Sequence, residues 1–399
     1  MNLQASWTQL GRAFVTAYGD AKGRIPSDRE GFCVEDHREA QPRPSRVVGL
    51  IADPGIAQGM ANKVHQKLEK KLNSDAERQF NWEIMIDPLS LPLSESGSVI
   101  LNENVPRLRE KYTWDYIIYL TDAPHYEQGR PVRSVLSPEQ GTATLSLPSL
   151  GLVTAGSVAR ALEEVLAELA TGNLPEPSPS PLGKALSVRG SMRSDEDTPS
   201  RIDSIEGFRG RVLLTMGMIR INRPWRLVPQ LSSAMAGAAA TGAFGVFYTS
   251  IWSMADYLAS SRLAFITLAS ILMLSLWLLF HNRLWEKPRG HRRKERLLIY
   301  NVATVLTVAS AAAAMYLLLF LALLVASLVV IDQEFLASQL GHEVSMSEYL
   351  NLAWLAASLG TLGGAIGSSF DDVQSVQRAT FSQREYERRN LSLDDADEL

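Results

Sequence analysis

Three stretches of the sequence end alike: "LIADP" (50–54), "IMIDP" (84–88) and "YLTDAP" (119–124). Each is an apolar run closed by an aspartate, with a proline one or two residues later. Short apolar runs bounded by turn residues read as buried strands. In open α/β sheets, ligands bind in the crevice beyond the carboxyl ends of the strands. Asp53, Asp87 and Asp122 are therefore candidates to converge on one rim, with Gly55 and Thr121 as their neighbours. Clustered carboxylates suit a hard cation such as Mg²⁺, or acid–base work where burial raises a pKa. A divalent metal is the cofactor such a cluster would take. The commoner reason for the pattern is structural. Aspartate caps turns and helix starts, and proline cannot extend a strand's hydrogen-bond ladder.

The first of these turns, in "RVVGLIADPGIAQGMANKV" (46–64), joins a strand to an amphipathic helix. Its spacing is neither the GxGxxG of dinucleotide sites nor a GxxxxGK[ST] phosphate loop. There is no GxSxG elbow and no HExxH pair. No catalytic residue is assigned on sequence. A non-enzymatic binding or regulatory module is favoured over a membrane-anchored, metal-dependent enzyme acting through the Asp cluster.

The elements that would position these residues alternate. Strands are predicted at 46–52, 80–86, 114–121, 132–137 and 142–147, and helices at about 56–72, 101–112 and 154–170. Met60, Val64, Leu68 and Leu72 make one helical stripe, and Val158, Leu162, Val165, Leu166 and Leu169 another. The expectation is an α/β cytoplasmic domain over 46–171, a three-layer sandwich on a mainly parallel or mixed sheet. Residues 1–45 read as an amphipathic helix (Leu3, Trp7, Leu10, Phe14, Tyr18) and a loop. Residues 172–206, rich in Pro, Ser, Gly and charge, read as a flexible linker. Residues 207–226 read as a juxtamembrane helix, and 371–399 as a cytoplasmic tail.

The rest of the chain is of another kind. Four stretches near 227–250, 263–281, 297–331 and 350–370 are apolar enough to span a bilayer. An all-α four-helix transmembrane domain is expected over 227–370, with the lipid bilayer as its partner. The third run, 35 residues without Pro, Gly or charge, reads as one long helix that projects past the membrane. Two shorter spans joined near Ala311–Ala314 is the alternative. The segment "HNRLWEKPRGHRRKER" (281–296) carries seven Lys or Arg against two Glu. By the positive-inside rule it is cytoplasmic, and four spans leave both termini cytoplasmic too. The predicted spans hold no charged residue in their cores, which disfavours an ion-coupled transporter. Gly360, Gly363, Gly364 and Gly367 form two overlapping GxxxG pairs. Such faces pack helices closely, within one bundle or between copies in a homo-oligomer. The net charge of −4 gives no reason to expect a nucleic-acid partner, and a single cysteine, Cys33, excludes an intramolecular disulfide framework.

Two segments, "GMIRINRPWRLVPQL" (217–231) and "GGAIGSSFDDVQSVQRATFSQREYERR" (363–389), resemble parts of uncharacterised multi-pass membrane proteins of high-GC Gram-positive bacteria. The resemblance implies a bacterial plasma membrane and carries no activity with it.

Overall fold

The computed structural model describes residues 44–74, 80–93, 99–127, 130–171, 193–194, 201–205, 207–286 and 294–389. The amphipathic stripe expected over 1–20 and Cys33 lie outside the described residues, as does most of the expected linker.

Side chains alternate between the two faces of a strand, and the central strands here are apolar on both. In β1 (Ser45–Ala52), Val48, Leu50 and Ala52 face one core and Ile51 the other. In β3 (Tyr116–Thr121), Ile118 and Leu120 join the first core, and Ile117 and Tyr119 the second. The first core is covered by α1 (Ile56–Asn73) and α3 (Ala155–Thr171). The second is covered by α2 (Val105–Lys111) through Val105 and Leu108. The result is three layers on a mixed sheet.

The strand order is β2-β1-β3-β6-β5-β8-β7, where β2 is Asn81–Pro88, β5 Arg130–Ser137, β6 Thr142–Ser146, β7 Arg193–Ser194 and β8 Arg201–Ser204. A short β4 (His125–Glu127) pairs with β5. The β2, β1, β3 and β6 pairings are parallel, and those of β5, β7 and β8 antiparallel. β7 and β8 fall inside the stretch expected to be linker. Ile202 of β8 is buried opposite Val135, so four residues of that polar stretch complete the sheet. β1 is flanked by β2 on one side and β3 on the other, so the order reverses between β1 and β3. In open α/β sheets such a switch point is where ligands bind.

Beyond the sheet, α4 (Gly207–Asn222) lies directly against it. A Cβ on Gly217 would fall 1.9 Å from the Pro148 carbonyl oxygen, and one on Gly151 2.1 Å from Leu213. Two glycines thus let the helix and the 147–151 turn meet at backbone distance. On its other side α4 joins Tyr126, Ile299, Tyr300 and Ala303 in one small core through Leu214 and Met218.

The apolar part consists of α5 (Ser232–Phe247), α6 (Thr249–Tyr257), α7 (Ser260–His281), α8 (Lys294–Val330), α9 (Gln333–Leu340) and α10 (Met346–Gly367). α7, α8 and α10 are each long and apolar enough to cross a membrane. The first expected span is different. Prolines at 224 and 229 hold its start in 3-10 turns, and the chain bends by 85° at Tyr248 between α5 and α6. At 16 residues, α5 is about 24 Å long. α8 is one unbroken helix of 37 residues, about 55 Å. It ends at Val330, and Asp332 then caps α9. Gly360, Gly364 and Gly367 of α10 all lie against backbone of α5 in the same chain, at Ala238, Ala234 and Ser233, and Gly363 abuts Thr241. After α10, Asp371 turns back to accept from the Ser233 and Ala234 backbone N–H groups at the start of α5. α11 (Val373–Thr380) and a helix α12 over 383–389 lead the chain back to the sheet.

Candidate functional site

The crevice at the switch point is built by backbone geometry first. The Asp53 N–H donates to the Leu120 carbonyl at 3.0 Å, which ties the end of β1 to the end of β3. Gly55 follows with φ +115, a conformation that side-chain-bearing residues rarely adopt. That glycine turns the chain at once into α1. It also brings the start of α1 close to the next strand end: a Cβ there would lie 3.9 Å from Asp122 Oδ2.

The strand ends therefore bring Asp53 and Asp122 together. The Asp122 N–H donates to Asp53 Oδ2 at 3.3 Å, and the Tyr119 hydroxyl donates a short hydrogen bond to Asp53 Oδ1. Thr121 is fully buried beside them, its hydroxyl accepting from the Ala123 N–H at 3.1 Å. Asp87 does not join this group. It accepts from the Tyr112 hydroxyl at 2.6 Å, on the α2 side of β2. Among the described residues, no three His, Cys, Asp or Glu side chains lie close enough to hold a metal ion.

What does meet the two aspartates is an arm from the far end of the chain. Arg384, at the start of α12, places Nε 3.3 Å from Asp53 Oδ1. Its other nitrogens reach the Leu91 carbonyl, the Tyr119 hydroxyl at 3.4 Å and Glu387 at 3.0 Å. The Ser382 hydroxyl donates to Asp122 Oδ1 at 3.4 Å. Asp53 and Asp122 are 1% and 3% exposed, and Arg384 is 4% exposed. This is a buried ion pair, not a solvated face.

Ionised groups in such a space are costly unless they are paired. Burial pushes both carboxyls above their ordinary range. Asp53 is pulled back by the Arg384 charge and by the Tyr119 and Thr121 hydroxyls. Asp122 is pushed up well beyond its usual value by burial, and further by the charge on Asp53. Asp53 is thus the carboxyl paired with the cation, and burial together with the Asp53 charge disfavours ionising Asp122 beside it. Burial works against the charge on Arg384, but Asp53, Tyr119 and Glu387 outweigh it and hold the guanidinium charged. Burial, then the Asp53 charge, raises the Tyr119 phenol, which stays a donor.

The same arm has a second anchorage. Arg388, one helical turn after Arg384, forms a bidentate pair with Glu286 at 3.1 and 2.7 Å and a second pair with Glu385 at 2.6 Å. Its guanidinium lies 4.3 Å from the centre of the Tyr300 ring on α8. Arg389 donates to the Leu284 carbonyl at 2.9 Å and stacks over Phe381 at 3.9 Å. Glu286 is itself pinned to α8 by Asn301, which donates to its carbonyl at 3.0 Å and accepts from its N–H at 2.9 Å. One short segment, 382–389, thus joins the sheet crevice to the ends of α7 and α8.

Strand-ending aspartates mark Asp53 and Asp122 in the sequence. Nothing in the sequence marks Arg384, which lies more than 250 residues from Asp122. The legible signal there is Ser382 followed three residues later by Glu385, a capping pattern that announces a helix and not a site. No family model, curated protein or solved structure matches this chain.

Proposed function

We propose that this protein is a regulatory module of a bacterial plasma membrane. Its α/β unit presents a ligand crevice on the cytoplasmic side, and α5, α7, α8 and α10 cross the bilayer. The C-terminal arm occupies the crevice through Arg384 and links its state to the base of the membrane helices through Arg388. The observation that carries this reading is the pairing of Arg384 with Asp53 in the same helix that pairs Arg388 with Glu286. A ligand that entered between Asp53 and Asp122 would have to displace Arg384, and the helix would carry that movement one turn on to Glu286 and Tyr300.

Hydrogen exchange on the full chain in detergent tests the coupling. In R384M, exchange should rise at 119–123 and also at 284–286 and 299–304. A rise confined to 119–123 would show that the arm does not couple the two regions.

A further inference from the structure

An apolar cavity of ≈ 360 Å³ lies between Trp285, shortly after α7, and the first turns of α8. That volume is within the range of small-ligand pockets. Its walls include Trp285, Leu298, Asn301, Val302 and Leu306. Asn301 is the polar member, and both ends of its amide are engaged by the Glu286 backbone. The space therefore offers a ligand apolar surface and little else. Leu298, Val302 and Leu306 recur every four residues and are 64%, 39% and 43% exposed, so the cavity opens sideways along α8.

Charge decides what kind of apolar ligand fits. The stretch of α8 that qualifies as a membrane span begins at Arg296, so the cavity sits in its first turns, at headgroup depth. Arg283 lies two residues before Trp285, is exposed, and holds φ +53 where helix ends usually place glycine. The neighbouring carboxylate, Glu286, is taken up by Arg388 and does not repel an anion. The segment 281–296 carries seven basic residues in all.

We infer that this cavity binds one acyl chain of an anionic phospholipid of the cytoplasmic leaflet, with the lipid phosphate at Arg283. The inference rests on the reading of α8 as a membrane span. Because Asn301 pins Glu286 beside the cavity, the bound lipid borders the anchorage of the C-terminal arm.

Reconstitution of the full chain in vesicles tests it. Flotation with phosphatidylcholine vesicles checks the membrane reading separately, and a chain that fails to float overturns both. Brominated acyl chains quench nearby tryptophan, and the difference between wild type and W285F isolates Trp285. Trp285 should be quenched more by brominated phosphatidylglycerol than by brominated phosphatidylcholine at equal mole fraction. R283G relieves the left-handed backbone and removes the charge, so it should fold and lose about five-fold of the preference, the weight of one basic residue at an anionic surface. V302F should fill the cavity and lower quenching by both lipids. Equal quenching of wild type by the two lipids, or a preference untouched by R283G and V302F, overturns the site.

Discussion

Burial and the neighbouring charge on Asp53 disfavour ionising Asp122, while Asp53 is paired with Arg384. The sign of the pH dependence follows. A carboxyl whose folded pKa is raised binds its proton more tightly in the native state. The stability tied to that proton is fully present below the ordinary carboxylate range and is lost as pH rises towards the raised value. D122N carries the neutral form permanently. It should match wild type near pH 4 and exceed it increasingly as pH rises above the ordinary carboxylate range, at up to about 1.4 kcal/mol per pH unit. Thermal unfolding of both proteins across that range measures it, and a constant difference would show that Asp122 is ionised in the native state. Arg384 predicts the opposite behaviour. R384M leaves Asp53 buried without its cation, a loss of about 3–5 kcal/mol, and D53N in the same chain should restore much of it. A double-mutant cycle reads the coupling. The aspartates were legible because a strand end is a local pattern. Their cation was not, because only the folded chain brings residue 384 to residue 53.

Elements show the same division between local and distant signals. Strands β1, β2 and β3 and helices α1 and α3 follow from periodicity, since each buries a face that the sequence itself displays. β8 does not. Four residues at the end of a polar stretch become a strand because β5 offers a free edge, and a register with one buried isoleucine suffices. The bend at Tyr248 was equally hidden, because 227–250 is apolar throughout and hydropathy is blind to direction. Two glycines in α4, Gly210 and Gly217, look like weak points in a helix but act as contact surfaces. G217A should cost about 1–3 kcal/mol, because its Cβ meets rigid backbone at Pro148. G59A is the control. A Cβ at Gly59 meets nothing within 4 Å, so the substitution should be neutral or stabilising in the same unfolding assay.

Across the whole molecule, the ends of the apolar helices sort into two groups. The start of α5, the end of α7, the start of α8 and the end of α10 lie on the side of the sheet, joined by Asp371, Glu286 and the C-terminal arm. The α6 helix, α9 and the loop before α10 meet at the other side, where Trp252 packs edge-on against Phe335 and His342 pairs with Asp256 at 3.0 Å. The arrangement fits four crossings only if α5, about 24 Å long, traverses a hydrocarbon core of about 30 Å with α6 lying in the far interface. If the α5–α6 pair instead entered and left on one side, Arg226 and Glu343 would share a face of the membrane. Single cysteines at these two exposed positions, in a chain with Cys33 replaced by serine, separate the alternatives. With four crossings, an impermeant maleimide labels E343C in intact cells and R226C only after permeabilisation. Equal labelling of both in intact cells would make α5–α6 a re-entrant segment, leaving α7, α8 and α10 as the crossings. The chain would then enter and leave the bilayer on opposite faces, and the arm could not reach the crevice at Asp53. The ion pair of Arg384 with Asp53 and the labelling of Glu343 therefore test one topology from its two ends.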